Sequence, residues 1–323
     1  MRQNTFHVSV IIPAYNAAAF LKRAVESALQ HSEVAEIILI EDGSKDTTWQ
    51  VCQRLQKQHA IVKLFQHPKA QNKGVGASRN LGINNATKEF VAFLDADDYY
   101  TSIRFEKEKE IIKKHPEADG VYGAIGVEYL DLVGAKTWEE KGLDEETLTT
   151  VNKPIPSEHL FAFLSSVNNP HDYKGYFSID GLTLKRSALL ALKIRFNPSL
   201  RLHQDTVFIW QVSYYLKLVT GEFEKPIAIR GVHSDNRFIH ATKMHDSRSK
   251  QYKVLRDWSF KENLPEKVKK RFQKKFFEHS MRSKNSGQLF FFYIYLLFTD
   301  YPTRSDFRKK QMKLVWKLWK NKV

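Results

Sequence analysis

The N-terminal part of the chain alternates short apolar runs with segments whose apolar residues recur at helical spacing. The runs are rich in valine, isoleucine and phenylalanine and have the length of strands that are buried on both faces. Strands that alternate with helices at short spacing form right-handed βαβ units, so the pattern predicts an α/β fold with a parallel sheet. The predicted strands are 8–13, 36–40, 62–65 and 90–94, and the predicted helices are 20–29, 46–55 and 77–85.

The pattern is less regular beyond this region, but it continues to residue 240. A charged helix is followed by two short strands, a polar loop that carries Trp138, and an apolar run interrupted by Gly181. A glycine inside a strand pattern indicates a close approach of another group to the backbone. The predicted elements are a helix at 103–115, strands at 119–122 and 127–130, a loop at 136–156, a strand at 177–184, a helix at 205–218 and a strand at 226–232.

The predicted strand at 90–94 runs into three carboxylates, Asp95, Asp97 and Asp98. Like charges this close repel and resist desolvation, so the cluster does not stabilise the fold. Mg²⁺ and Mn²⁺ prefer oxygen ligands, and ligands of open α/β sheets bind at the carboxyl ends of the strands. A divalent-metal site is therefore predicted here. The alternative is an acidic turn that caps the next element, and Asp98 fits that role best.

The single cysteine, Cys52, excludes a disulfide framework and fits a reducing compartment. The start of the chain lacks the apolar core of a signal peptide, and no stretch reaches the roughly 18–20 apolar residues that span a bilayer. We therefore expect a cytoplasmic protein, or one that is peripheral at the inner face of the membrane. With 323 residues and 42% hydrophobic content, the chain can form one large domain or two.

The net charge of +15 lies entirely in the C-terminal part of the chain. Residues 241–323 contain 22 basic and 7 acidic residues, whereas the first 240 residues are neutral overall. This tail holds an apolar stretch at 289–298 and a basic, tryptophan-bearing amphipathic pattern at 307–319. The pattern is typical of helices that bind an anionic membrane surface; packing on the rest of the chain, or on a second copy in a homodimer, is the alternative. No groove-reading motif accompanies the charge, so no nucleic-acid partner is predicted.

Four motifs fall at the carboxyl ends of the predicted strands. They read VSVIIPAYN at 8–16, ILIEDGSKDT at 38–47, GVGASRNLG at 74–82 and FLDADD at 93–98. In order and spacing they resemble the family-2 glycosyltransferases of GT-A fold, inverting nucleotide-sugar transferases of the bacterial cell-surface polysaccharide type. The resemblance covers residues 7–125. It implies a Rossmann-like nucleotide-sugar-binding sheet flanked by helices, here with a basic C-terminal helical extension.

The resemblance implies a nucleotide-sugar site, and UDP is favoured because the Asp42 carboxylate can accept a hydrogen bond from uracil N3–H. The alternative for Asp42 is a turn acid that satisfies backbone N–H groups. Asp95 matches the acid that contacts the ribose, and Asp97 matches the ligand of the Mn²⁺ or Mg²⁺ that holds the diphosphate. Lys73 and Arg79 match a basic loop near the base or the diphosphate, with a solvated surface charge as the alternative. The set implied for the nucleotide-sugar is Pro13, Ala14, Tyr15, Asn16, Asp42, Lys73, Arg79, Asp95, Ala96 and Asp97.

Inversion needs one general base that takes the proton from the acceptor hydroxyl. The family's base lies in an acidic pair that opens a helix; the match is Asp205, preceded by Gln204 where an acid is common. The position of Gln204 has a role in acceptor orientation or in tuning the pKa of the base, and the departure from an acid leaves open which of the two applies here. The resemblance makes His233 a further metal or diphosphate ligand. It also places Asp180 and Gly181 at the floor of the acceptor site. The alternatives are a helix N-cap for Asp205, a surface histidine at 233 and an ordinary bulge at 181.

Three parts are predicted. Residues 1–125 bind the nucleotide-sugar, residues 126–240 bind the acceptor and carry the base, and residues 241–323 form a basic amphipathic helical tail. The predicted activity is metal-assisted direct displacement that moves a sugar from a UDP-sugar to a hydroxyl of a lipid-linked or surface-polysaccharide glycan. The alternative is a catalytically silent scaffold that binds a sugar nucleotide. A nucleotidyltransferase is disfavoured because residues 13–16 replace the glycine-rich loop that such an enzyme carries after its first strand.

Overall fold

The computed structural model describes residues 6–140, 148–236, 244–285, 287–290 and 305–320. The chain divides into two compact units, Met1–His240 and Ala241–Val323. Within the described ranges, no helix combines the length and the apolar character needed to cross a bilayer.

The first unit alternates strands and helices along most of its length. Its strands are β1 (Val8–Ala14), β2 (Val34–Glu41), β3 (Val62–Gln66), β4 (Phe90–Phe93), β5 (Tyr99–Tyr100), β6 (Gly120–Tyr122), β7 (Ile125–Tyr129), β8 (Leu182–Lys185), β9 (Leu218–Thr220) and β10 (Ala228–Val232). Its helices are α1 (Leu21–Leu29), α2 (Thr48–Gln58), α3 (Val75–Asn85), α4 (Glu106–Lys114), α5 (Leu132–Glu140), α6 (Ser157–Leu164), α7 (Arg186–Ala191) and α8 (Gln204–Tyr215). Short 3₁₀ helices lie at Pro68–Ala70 and Ile179–Gly181.

The main sheet has the strand order β3-β2-β1-β4-β8-β6-β9. β1 to β4 are parallel to one another, whereas β8 runs antiparallel to both β4 and β6. Because β8 is antiparallel, its N-terminal end lies beside the carboxyl end of β4. A smaller sheet has the order β5-β10-β7. It pairs β5, which follows the acidic turn at 95–98, with β10, which precedes His233.

Successive residues of β1 face two different apolar layers. Val10 belongs to the cluster that includes Leu21 of α1, whereas Ile11 belongs to the cluster that includes Ile83 of α3 and Phe208 of α8. The sheet is therefore covered by helices on both faces. This double coverage explains why its strands read as unbroken apolar runs.

The predicted loop at 136–156 is wrong in its first part, because α5 begins at Leu132 and carries Trp138 into a buried position. The cap of this helix is Asp131, whose Oδ1 accepts a hydrogen bond from the Gly134 N–H at 2.6 Å. An aspartate before the first helical residue stabilises a helix start in this way. The sequence carried this signal, although the polar composition around it favoured a loop.

Two further predicted elements have different bounds in the structure. The strand expected at 177–184 is a 3₁₀ turn at Ile179–Gly181 followed by β8, which continues to Lys185. The helix expected at 205–218 ends at Tyr215, and Leu218–Thr220 pairs with β6 instead. In the second case, tertiary strand pairing overrides a local apolar pattern that suits either element.

The second unit contains α9 (Met244–Lys261), α10 (Glu266–Arg282) and α11 (Ser305–Lys320). The amphipathic pattern at 307–319 is thus helical, and its apolar side packs within the unit, because Val315 forms a buried cluster with Met281 of α10. Trp316 stays 41% exposed, and Lys313, Lys317 and Lys320 are exposed on the same helix. Most of the apolar stretch at 289–298 lies outside the described residues.

Candidate active site

Three carboxylates leave the end of β4 with different exposure. The side chains of Asp95 and Asp97 are 36% and 32% exposed, whereas Asp98 is buried. The Asp98 N–H donates to the Asp95 carbonyl oxygen at 3.1 Å, which closes a tight turn. Two carboxylates of this acidic turn can therefore meet a ligand, while the third serves the protein interior.

The prediction that Asp98 caps the following turn is wrong. Its Oδ1 accepts a hydrogen bond from the Gly231 N–H of β10 at 2.9 Å. Burial and the neighbouring Asp180 raise the pKa of Asp98 above its usual range. A Cβ on residue 231 would stand 2.4 Å from the Asp97 carbonyl oxygen, so glycine lets β10 lie directly against the acidic turn.

Asp97 and His233 come together at the mouth of this turn. His233 Nε2 lies 3.2 Å from Asp97 Oδ2, and Asn236 Nδ2 donates to the same oxygen at 3.0 Å. The hydrogen bond and charge of Asp97 raise the pKa of His233. The His233 ring also lies 4.5 Å from the Phe20 ring, between centroids, which helps to fix its position.

The Asp97–His233 pair fits a divalent metal. Two neighbouring ligand atoms at right angles around a metal, with bonds of about 2.1 Å, stand roughly 3 Å apart. The observed separation of 3.2 Å between His233 Nε2 and Asp97 Oδ2 is close to this value. A carboxylate with an imidazole suits Mn²⁺ better than Mg²⁺, which prefers oxygen alone.

A second group of acids, Asp95, Asp98 and Asp180, brings three carboxylate oxygens within 4.8 Å of one another. Each of these carboxylates already has a partner in the protein: Asp95 pairs with Arg79, Asp98 with the Gly231 N–H, and Asp180 with the Asp95 N–H. This group therefore connects the acidic turn to the rest of the site.

Asp180 joins the start of β8 to the acidic turn. Its Oδ1 accepts from the Asp95 N–H at 2.9 Å, and its Oδ2 accepts from the Ser178 hydroxyl at 3.2 Å. Burial and the charge of Asp95 raise the pKa of Asp180 to about 6. A Cβ at Gly181 would stand 2.5 Å from the Gly123 carbonyl oxygen, so packing within the protein already explains this glycine.

Arg79 is buried at the centre of the site. Its Nη2 donates to Asp95 Oδ1, and its Nη1 donates to Gln204 Oε1 at 3.0 Å. The guanidinium also lies 5.3 Å from the centre of the Phe196 ring. This one side chain links the acidic turn to the first residue of α8, which carries the predicted base.

Asp205 is the second residue of α8. His203, the residue just before this helix, adopts a left-handed conformation with φ of 63°. Its Oδ1 accepts from the N–H of Thr206 at 2.7 Å, which anchors the carboxylate at the start of the helix. Although burial opposes its charge, Asp95, Asp180 and then Asp205 raise the pKa of the Arg79 guanidinium. The predicted base thus lies on the same charge network as the acidic turn.

The residues predicted to hold the nucleotide surround the ends of β1 and β2. Pro13 and Ala14 are buried in β1 and Tyr15 is exposed, while Asn16 Oδ1 accepts from the Lys45 N–H at 2.9 Å. Asp42 accepts from the Lys73 N–H at 2.7 Å and from the Gly74 N–H at 2.8 Å, while the Lys73 residue is exposed. Asp42 therefore holds the basic loop in place. Of the residues predicted to hold the nucleotide, Ala96 lies elsewhere, buried within the acidic turn.

The sequence of this unit matches a known family. Residues 9–168 match the profile described as glycosyl transferase family 2. The chain carries a family-2 glycosyltransferase domain. A crystal structure of S. aureus TarS 1-349 in complex with UDP-GlcNAc aligns with this chain with a TM-score of 0.59 at 16% identity, covering 84% of this chain and 71% of that chain. The α/β class and the GT-A fold predicted for the glycosyltransferase are confirmed.

Curated relatives cover the glycosyltransferase domain to different extents. An uncharacterized glycosyltransferase of Haemophilus influenzae is 36% identical over 102 residues, which make up 31% of this chain and 40% of that protein. The minor teichoic acid biosynthesis protein GgaA of Bacillus subtilis is 28% identical over 212 residues, or 63% of this chain and 42% of GgaA. The chain thus spans less than half the length of these two relatives.

Sequence reasoning missed two polar residues of the candidate site, Arg230 and Asn236. Arg230 Nη2 donates to the Ser178 hydroxyl oxygen at 3.1 Å, and Asn236 bonds Asp97. Although burial opposes its charge, Asp98 and Asp180 raise the pKa of Arg230. An arginine inside the apolar strand β10 was a usable signal, because a buried cation requires buried acids nearby. Asn236 carried no comparable signal.

Proposed function

We propose that this glycosyltransferase moves a sugar from a UDP-sugar to an acceptor hydroxyl with inversion at the anomeric carbon. The main support is the pair of hydrogen bonds from Arg79 to Asp95 and to Gln204, which connects the acidic turn to the helix that bears Asp205. A site that holds a donor beside a positioned carboxylate suits direct displacement. The TarS structures solved with UDP and with UDP-GlcNAc support a uridine nucleotide donor.

The uracil binds at Asp42 in this proposal. Both carboxylate oxygens already accept a backbone N–H, from Lys73 and from Gly74. Each carboxylate oxygen has a second acceptor position, so Asp42 can also accept from uracil N3–H. Because the loop N–H groups fix the carboxylate before the donor arrives, little side-chain entropy is lost on binding.

Asp97 and His233 would hold the divalent metal, and a metal bound there would stabilise the negative charge that the leaving diphosphate gains. Asn236 donates to Asp97 and limits its rotation. Asp95 stays free to accept from the ribose on its exposed side, while Arg79 fixes its other side.

Asp205 acts as the general base. The acceptor oxygen attacks the anomeric carbon as its proton passes to the Asp205 carboxylate, and the bond from that carbon to the phosphate oxygen breaks with its electron pair leaving on UDP. One displacement at one face inverts the configuration. Arg79 holds Gln204 next to the base, so the neutral Gln204 can donate its amide N–H groups to the acceptor.

We infer a lipid-linked or surface glycan as the acceptor, with an anionic membrane near the basic tail. The name of GgaA places that relative in teichoic acid biosynthesis, which supports a surface polymer. In α11, Lys313, Trp316, Lys317 and Lys320 recur at helical spacing and are all exposed. Lysines beside a tryptophan on one helix face suit anionic lipid headgroups.

The function is tested with a panel of UDP-, GDP- and dTDP-sugars, screened by thermal shift with Mn²⁺, Mg²⁺ or EDTA. Metal-dependent stabilisation by a UDP-sugar is expected, because a ligand that binds only the folded state raises its stability. Asp97→Asn should remove the metal-dependent part. Asp205→Asn should keep donor binding and lose transfer, and Asp172→Asn, an exposed acid at positive φ, should match the wild type. Stabilisation by no nucleotide sugar would contradict the proposed function, whereas donor binding without any transfer by the wild type would favour the silent-scaffold alternative.

The membrane contact has its own test. Lys313, Lys317 and Lys320 are replaced together by glutamine, and sedimentation with anionic and neutral vesicles is compared with the wild type. The matched control replaces Lys267, Lys270 and Lys274, which are exposed on α10 and carry the same charge. Loss of anionic-vesicle binding in the α11 variant alone is expected. Equal loss in both variants would mean that only total charge matters.

A further inference from the structure

Tyr176 is an exposed aromatic residue on a firmly held backbone. Tyr176 is 56% exposed. The next residue, Phe177, is buried and stacks on Tyr122, with 4.1 Å between the ring centroids. The Tyr176 N–H donates to the Thr150 carbonyl oxygen at 3.1 Å. Gly175 has φ of +82°, and a Cβ there would stand 1.9 Å from the same oxygen, so the backbone at this point is tightly packed.

A short chain of contacts leads from Tyr176 to the reaction centre. Two residues further on, Ser178 bonds both Arg230 and Asp180, and Asp180 in turn accepts from the Asp95 N–H. Against the effect of burial, Asp98, Asp180 and then Tyr176 raise the pKa of the Arg230 guanidinium, which places Tyr176 close to that side chain. Tyr176 is thus a neighbour of the network that holds the acidic turn, although sequence reasoning gave it no role.

The strand order decides which substrate Tyr176 can meet. The residues proposed to bind the nucleotide lie at the ends of β1 and β2 and in the segment that follows β3, with Asp95 and Asp97 directly after β4, whereas Tyr176 precedes β8. In the order β3-β2-β1-β4-β8, β8 lies on the opposite side of β4 from the nucleotide strands. The acidic turn at the end of β4 separates the two sides, so Tyr176 lies on the side left for the acceptor.

An exposed ring with a fixed base is suited to a sugar. A pyranose ring presents a face of C–H groups, which packs against an aromatic face, while its hydroxyls stay in water. Tyrosine offers a rigid apolar face with few rotatable bonds, so little entropy is lost when a ligand stacks on it.

We infer that Tyr176 is an acceptor-binding residue whose ring stacks on a sugar ring, so the hydroxyl that is glycosylated belongs to a saccharide. The inference rests on the proposed glycosyltransferase function and narrows its acceptor class. It assigns to Tyr176 a contact with the acceptor alone, and none with the donor.

The test measures UDP release from the UDP-sugar found by thermal shift, with water as the only acceptor and then with methyl glycosides of glucose, galactose and N-acetylglucosamine. Glycerol phosphate serves as the acceptor without a sugar ring. Tyr176→Ala should raise KM for the accepted glycoside about tenfold, the loss expected for one aromatic contact, with kcat and the donor KM unchanged. Tyr176→Phe keeps the ring and should stay within about threefold of the wild type.

Phe260→Ala is the matched control, because Phe260 is 53% exposed on α9 in the second unit. An unchanged glycoside KM in Tyr176→Ala overturns the inference, and so does a wild type that transfers to glycerol phosphate but to no glycoside. A donor KM that rises with Tyr176→Ala also overturns it, because the ring would then serve the nucleotide-sugar. If the wild type neither binds nor hydrolyses any nucleotide-sugar, the proposed function itself has failed, and the inference fails with it.

Discussion

Gly231 offers a direct test of how far the position of the acidic turn controls the reaction. A Cβ at this position would stand 2.4 Å from the Asp97 carbonyl oxygen, whereas ordinary contacts begin at 3.4 Å. Gly231→Ala must therefore push the turn and β10 apart by about 1 Å, and a displacement of this size at a reacting group can lower the rate on the order of 100-fold. The obstacle is backbone, so it cannot rotate away.

The folded state should survive this change. The Gly231 N–H still reaches Asp98 after a small shift, and the cost of overpacking is typically about 1–3 kcal/mol. We therefore expect kcat for UDP release to fall about 100-fold while thermal unfolding stays cooperative and the melting temperature drops by only a few degrees.

Gly126→Ala is the matched control. Gly126 lies in β7 of the same sheet, and its Cβ would meet the flexible end of the Ile229 side chain at 2.9 Å. This variant should lose less than about threefold in kcat, because a side chain yields more easily than backbone. Wild-type kcat in a folded Gly231→Ala protein, or equal losses in both variants, would refute the reasoning.

Three further outcomes follow from buried groups. Arg79→Met should lower kcat by at least about tenfold and the free energy of unfolding by about 1–3 kcal/mol, because Asp95 and Gln204 both lose a hydrogen-bond partner. If the fall in kcat is fully explained by a smaller folded fraction, this role of Arg79 is contradicted. Burial, followed by the nearby cations, lowers the pKa of His279 from 6.5 to about 4, so the unfolded chain binds the proton more readily and stability should fall as pH drops from 6.5 to about 4. Urea unfolding across that range should show a weaker pH dependence in His279→Gln than in the wild type, and equal dependence would count against the assignment. Burial raises the pKa of Cys52 to about 12, so its thiol should react with a disulfide reagent only after denaturant is added.

Local pattern predicted the parallel half of the fold well. The apolar runs that became β1 to β4 are covered on both faces, so their composition alone distinguished them from solvated segments. The second half was harder, because its elements depend on partners far along the chain. β9 forms because Leu218–Thr220 pairs with β6, and no local sequence pattern predicts that pairing.

The candidate site was likewise predicted only in part from the sequence. A motif predicted that Asp95 and Asp97 contact a ligand, and the structure leaves both side chains partly exposed. The contact from Asp180 to the acidic turn was not predicted, although Asp180 itself was expected at the floor of the acceptor site, because it depends on the antiparallel placement of β8. Arg79 was predicted as a loop cation near the nucleotide, and the structure shows a buried side chain that joins Asp95 to Gln204.

The smaller sheet has a consequence for the order in which the protein is made. β1 to β4 pair with one another, so this half can form while the rest of the chain is still being synthesised. β5, directly after the acidic turn, pairs with β10, which emerges from the ribosome much later. A nascent chain that has completed its first four strands therefore still lacks the contacts that fix Asp97, and it gains them only when translation has passed Asn236. In the proposed mechanism, competence to use the donor thus arises late, close to the point where the basic tail begins to appear.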